Sequence, residues 1–124
     1  ATRYAIPITH FMAHLSPDRM AAEIEAQLDP ILAAADGVFA ATDNLAIALL
    51  REFKRRNVAV PAAVRLVGFD DLPMASQTSP QLTTIHQDIA GGAKGLVDLL
   101  LRRMRGEETE SLILPPRLVL RETA

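Results

Sequence analysis

The 124-residue sequence contains no cysteine and no tryptophan, and one tyrosine and four phenylalanines are its only aromatic residues. Without cysteine there can be no disulfide and no thiolate-ligated metal centre. Charge of one sign is equally scarce: 13 Lys and Arg against 15 Asp and Glu leave a net charge of −2. The basic residues are scattered, with short pairs, Arg55-Arg56 and Arg102-Arg103, at expected helix ends where cations complement the macrodipole. Nucleic acid calls for a concentrated basic face, which this chain does not have. No apolar run approaches the roughly 20 residues needed to span a bilayer, so no membrane partner is expected. A signal-peptide pattern is absent, as is an initiator Met, and the chain opens directly into a strand-like run. It is therefore expected to belong to something longer.

Catalytic signatures are missing as well. There is no nucleophile elbow, no glycine-rich phosphate loop, and no acid and base at diagnostic spacing. His10 and His14 are four residues apart, but no third metal ligand accompanies them. No enzymatic activity, no cofactor and no metal are expected. A receiver-type phosphotransfer domain would want an acidic cluster at an early strand and a lysine at a late one, whereas Lys54 and Lys94 both fall on expected helices.

What is present centres on residues 64–71, VRLVGFDD. Val64, Leu66 and Val67 read as a strand buried on both faces of a parallel sheet. The strand stops at Gly68, and Phe69 is followed by two carboxylates. Ligands of open α/β sheets bind outside the carboxyl ends of the strands, where a ring and an acid suit a sugar or nucleoside. Capping of the following turn is the plainer role for Asp70 and Asp71.

Along the chain, residues 3–9 (RYAIPIT) form an expected strand and residues 10–14 a loop at its carboxyl end. Ser16-Pro17-Asp18 is a helix start. Met20, Ile24, Leu28 and Ile31 recur at helical spacing as one buried face. Pro30 predicts a kink or a second short helix capped by Asp29. Residues 38–41 read as a short strand, after which Thr42-Asp43-Asn44 caps a helix running to about Arg56. Asp43 fits helix capping better than ligand binding. That helix is apolar on two sides, with Leu45, Leu49 and Phe53 on one and Ile47 and Leu50 well round from it, so something besides its own sheet packs on it. Asn57 suits the left-handed residue that ends it. Residues 72–80 are irregular, and residues 82–85 form another strand. Asp88 caps a last helix with Ile89, Ala93, Leu96, Leu100 and Met104 on its core face. Gly91, Gly92 and Gly95 weaken its first turns by about 1 kcal/mol each relative to Ala, which points to close approach of another group. Gly106 stops it. Residues 112–114 and 118–120 are strand-like, broken by Pro115-Pro116 as at a sheet edge. The alternation predicts an α/β fold, a three-layer parallel sheet with helices on both faces.

The string Gly37-Val38-Phe39-Ala40-Ala41-Thr42-Asp43, then Val60-Pro61, then Val67-Gly68-Phe69-Asp70-Asp71 resembles the LacI/GalR (lactose/galactose-repressor) family. So do Ser79-Pro80-Gln81-Leu82-Thr83-Thr84-Ile85-His86-Gln87 and the closing Pro-Pro-Arg-Leu-Val-Leu-Arg-Glu. The matching motifs run from about residue 37 to 122. The resemblance implies residues 1–124 are the C-terminal portion of a regulator's effector-binding and dimerisation domain, mostly the second lobe of a periplasmic-binding-protein-like type I fold. Residues 70–85 would cross toward the first lobe and return, and the DNA-binding headpiece would lie outside this chain. It further implies a cytoplasmic protein whose partners are a small-molecule effector (a sugar, sugar phosphate or nucleoside), a second copy of itself, and operator DNA reached only through that headpiece.

Position by position, the resemblance makes Asp70 the hydroxyl-binding acid of the effector cleft and Thr42 a polar cleft residue. Gln87 and Ile89 face the same cleft, Phe69 holds an aromatic position, and Phe11 is the candidate stacking ring. His86 reads as a solvated or hinge residue. For the dimer, Ile47 and Leu50 beside Arg51 form the candidate face, and the resemblance adds the stretch from Met74 to Pro80. A periplasmic sugar-binding protein of an ABC transporter shares the fold and is the alternative reading.

Overall fold

The computed structural model describes residues 8–13 and 16–124. The expected strand over residues 3–9 falls largely outside them. Three helices and four strands follow in the order α1 (Pro17–Ala34), β1 (Gly37–Phe39), α2 (Asp43–Arg55), β2 (Arg65–Asp70), β3 (Thr83–His86), α3 (Ile89–Met104) and β4 (Arg117–Val119). A short 3-10 helix, Pro73–Gln77, lies between β2 and β3. The sheet order is β1-β2-β3-β4. The first three strands are parallel and β4 is antiparallel to β3, so the sheet is mixed rather than wholly parallel.

The core forms where the sequence pattern puts it. Met20, Ile24, Leu28 and Ile31 are buried along α1. Pro30 neither breaks nor divides that helix, which runs unbroken to Ala34. Leu28 and Ile31, buried on either side of the proline, hold the last turn by packing although one backbone donor is lost. Salt bridges add to this contact between α1 and α2: Arg55 reaches Glu25 at 2.7 Å and Arg56 reaches Asp29 at 2.5 Å. Both arginines also grip Glu52, and the Arg55 hydrogen bond foremost lowers its carboxyl to about 2.

Helix α2 carries its N-cap on Thr42, whose hydroxyl accepts the Leu45 amide at 3.2 Å. Asp43 therefore does not cap it. The two-sided pattern of α2 has an internal explanation: Ile47 and Leu50 are each only 8% exposed, in one cluster with Met20, Ile24 and Leu28 of α1. The second side of α2 is covered by the first helix of the same chain. Asn57 has φ 56 and Gly106 φ 80, as expected of residues ending helices.

In β2, Leu66 and Gly68 are buried while Val67 and Phe69 are half-buried, so the strand is covered fully on one face only. On the other face Phe39 is 63% exposed and meets Phe69 edge to face, with ring centroids 6.3 Å apart. Residues 112–114 do not join the sheet. They lie along α3, where Leu114 comes close to Gly92 and a Cβ on Gly95 would collide with Leu112. That close approach accounts for Gly95, while Gly91 makes room for the carboxylate of Asp88, which caps its amide at 2.8 Å.

Residues 70–85, the segment expected to cross to another lobe, pack here against the sheet, with Ala75 and Leu82 fully buried. The element that stands clear is α3. It has no buried residue, and Ile89, Leu96, Val97, Leu100, Leu101 and Met104 are all exposed. Among the described residues, no helix is long and apolar enough to cross a membrane.

Candidate ligand-binding site

Because β1, β2 and β3 are parallel, Asp70 at the end of β2 and Thr42 and Gln87 just beyond β1 and β3 all lie at one edge of the sheet. The chain leaves β2 through two consecutive left-handed residues, Asp70 at φ 117 and Asp71 at φ 55. Such conformations cost L residues of order 1–3 kcal/mol each and cluster at ligand sites. The turn is held from three directions. The Leu72 amide donates to Asp43 Oδ2 at 2.7 Å. Arg121, just beyond β4, donates to Asp71 Oδ1 at 2.7 Å, and His86 Nδ1 lies 3.0 Å from Asp71 Oδ2. Burial pushes the Asp71 carboxyl up, but the hydrogen bonds and charges of Arg121 and His86 outweigh it and lower it overall.

Asp70 is placed differently. Gln87 Nε2 donates to its Oδ1 at 2.9 Å, and among the described residues no other side chain engages it. Beside this pair opens a cavity of about 480 Å³ lined by Phe69, Gln87, Asp88, Ile89, Gly92, Ala93, Leu114 and Pro116. Its lining is mostly apolar, with Gln87 and Asp88 as the polar groups, the mixture typical of small-molecule sites. A second cavity of about 520 Å³ lies between α3 and residues 108–112. Asp98, Glu108, Glu110 and Arg102 line it, and it is away from the strand ends.

Of the expected site residues, the structure brings Phe69, Gln87 and Ile89 to one cavity and joins Asp70 to Gln87. Thr42 lies at the same sheet edge, with its hydroxyl engaged as a helix cap. Phe11 lines neither cavity; its loop is tied to α1 by Gln27 Nε2, which donates to the Met12 carbonyl at 2.7 Å. For the expected dimer face, Ile47 and Leu50 are buried within the chain, whereas Arg51 and Met74 are exposed. Among the described residues, no group of three metal-ligating side chains occurs.

The burial of two polar residues, Asp43 and Thr123, and the anchoring role of the half-buried Arg121 escaped the sequence reading. Asp43 is fully buried, accepting the Thr84 hydroxyl at 2.5 Å as well as the Leu72 amide. Thr123, also fully buried, bridges the amino ends of β2 and β3 by donating to the Leu66 carbonyl at 2.7 Å and accepting the Thr83 amide at 2.8 Å. Arg121 ties Asp71 to the Leu82 carbonyl. No local pattern marks a polar residue as buried, so only the fold reveals these.

With the geometry established, known proteins supply the context. Residues 1–124 match the periplasmic binding protein-like domain family over their whole length. The chain belongs to that family. GalS, a transcriptional regulator of Salmonella typhimurium, is 39% identical over 88 residues, which cover 69% of this chain and 26% of that protein. Among solved structures, the CelR transcriptional regulator in complex with cellobiose superposes with a TM-score of 0.78 at 32% identity, over 90% of this chain and 35% of CelR. A LacI family regulator from Enterococcus faecium with bound ribose follows at 0.76 and 32%, over 90% and 41%. This periplasmic binding protein-like domain is thus of the kind LacI/GalR regulators carry. It spans about a quarter of the length of the curated relatives it matches.

Proposed function

We propose that this domain senses a sugar-like small molecule as part of a LacI/GalR-type transcriptional regulator. Operator binding would be carried by a helix-turn-helix elsewhere in the protein. The observation that carries the reading is the Asp70–Gln87 pair beside an apolar cavity at the carboxyl edge of the sheet. A carboxylate accepts hydroxyl hydrogen bonds in pairs, and the half-buried ring of Phe69 offers a face for the sugar ring. Sugars bound in two related regulators agree with this. A transport protein of the same fold would share the cleft, but the regulators matched favour sensing.

The bare sides of α3 point to a second lobe. We place the crossing in α3 and its flanks rather than in residues 70–85, because α3 buries nothing against this sheet while its apolar residues stand exposed. A further part of the same protein would cover them and close the cleft. We also propose a homodimer, with Arg51 and Met74 as the exposed members of the candidate face.

The test is a thermal-shift screen of the intact protein with sugars, sugar phosphates and nucleosides. A ligand at 100 times its Kd stabilises the native state by about 2.7 kcal/mol, which is readily seen. Stabilisation by sugars supports the reading, and silence across the panel would count against it.

A further inference from the structure

Two aspartates stand side by side at the end of β2, yet their surroundings assign them different tasks. Both carboxylate oxygens of Asp71 are taken by groups from other parts of the sheet: Oδ1 by Arg121 at 2.7 Å and Oδ2 by His86 at 3.0 Å. Its side chain is only 16% exposed. Arg121 is anchored in turn, with Nη1 on the Leu82 carbonyl at 2.8 Å and its amide on Thr83 Oγ1 at 2.9 Å. His86 ends β3, in register with Asp70 on one side and Arg117 of β4 on the other. Asp70, by contrast, meets only the side-chain amide of Gln87 among the described residues.

From this we propose that Asp71 is a positioning residue: clamped by His86 and Arg121, it fixes the left-handed turn that holds the Asp70 carboxylate on Gln87, which lines the cavity. The inference deepens the proposed sensing site and rests on that reading for its biological meaning. Its logic is geometric. Two adjacent residues at φ 117 and φ 55 are a conformation that L residues leave when nothing holds them. Asn or Gly would tolerate the left-handed angle at position 71 as well as Asp does, so backbone tolerance alone does not call for an acid there. A carboxylate can engage a guanidinium and an imidazole at once, tying the turn after β2 both to the end of β3 and to the residue beyond β4. Asp43 holds the far side of the same turn through the Leu72 amide. Asp71 is therefore not expected to contact ligand itself.

The experiment uses the intact protein labelled with 15N-glutamine, with the Gln87 side-chain amide assigned by its disappearance in Gln87→Glu. No ligand is needed, so failure of this inference is distinguishable from failure of the sensing proposal. Asp71→Gly accepts φ 55 without strain but removes the clamp, and His86→Ala removes one of its two arms. In Asp71→Gly the Gln87 amide signal is expected to move toward the solvent position and to exchange with water about tenfold faster, as loss of one hydrogen bond would give. His86→Ala should shift it the same way by less. A role confined to stability would lower the melting temperature and leave the Gln87 signal in place, which would overturn the proposal. Failure of both variants to fold would also overturn it, making the cluster a folding element and not a positioning one.

Discussion

The Leu72 amide donates a 2.7 Å hydrogen bond to Asp43 Oδ2 across 29 residues of sequence, joining the start of α2 to the turn that follows β2. With the Thr84 hydroxyl on its other oxygen, Asp43 links the start of α2, the turn after β2 and the body of β3 from a fully buried position. The turn bearing Asp70 is thus built on a polar core as well as an apolar one.

Gly68 shows how tightly this arrangement is packed. A Cβ there would collide with Asp43 Oδ1 and press on Leu82 and Ala46. Gly68→Ala is expected to destabilise the protein by about 1–3 kcal/mol, the usual cost of overpacking. Urea unfolding monitored by circular dichroism measures it, and a midpoint equal to that of the wild type would contradict the packing described.

Ile47 tests the internal cover of α2. Because α1 buries it, Ile47→Asp places a charge in the core and should cost several kcal/mol of folding stability, of order 3 or more. An interface role alone would leave the fold intact and change only the mass seen by light scattering. The expected outcome is loss of the folded state, or a melting temperature lowered by many degrees.

Asp71 gives a pH signature. Its carboxyl is lower in the folded protein than in the unfolded chain, so its contribution is fully present above the ordinary carboxylate range and is lost as pH falls through the lowered folded value. Asp71→Asn should therefore be less stable than wild type near neutrality, by roughly 1.5–3 kcal/mol for hydrogen bonds to a charged group. The gap should narrow in acid, as wild-type Asp71 itself becomes protonated. Unfolding curves of both proteins across that range check the sign.

Much of the fold was legible because periodicity and caps are local. The buried face of α1, the caps Thr42 and Asp88 and the left-handed Asn57 each follow from residues within a turn of one another. Of the proposed site, the placement was legible: Phe69, Gln87 and Ile89, named from the end of a strand and the start of a helix, line one cavity, and Asp70 accepts a hydrogen bond from Gln87. What could not be read depends on long-range partners. Asp43 looks like a helix cap until Leu72 and Thr84 are brought to it. Ile47 and Leu50 look unpartnered until α1 folds over them. Pro30 looks like a helix breaker until Leu28 and Ile31 are seen packed on both sides of it. Residues 112–114 have a strand's composition, yet the glycines of α3 offer them a closer partner than the sheet does.

The most direct measurement is a paired titration of the intact protein and its Asp70→Asn variant. Cellobiose and ribose, the sugars held by two related regulators, are the starting ligands for calorimetry, alongside operator binding without effector. Asparagine keeps an acceptor for Gln87, so the fold should survive, but the charge that strengthens hydroxyl hydrogen bonds is gone. Since 1.4 kcal/mol is one decade of affinity, effector binding should weaken at least about tenfold while operator affinity barely changes. Undiminished sugar affinity in a normally folded Asp70→Asn protein would contradict the account and leave Asp70 as a turn residue only.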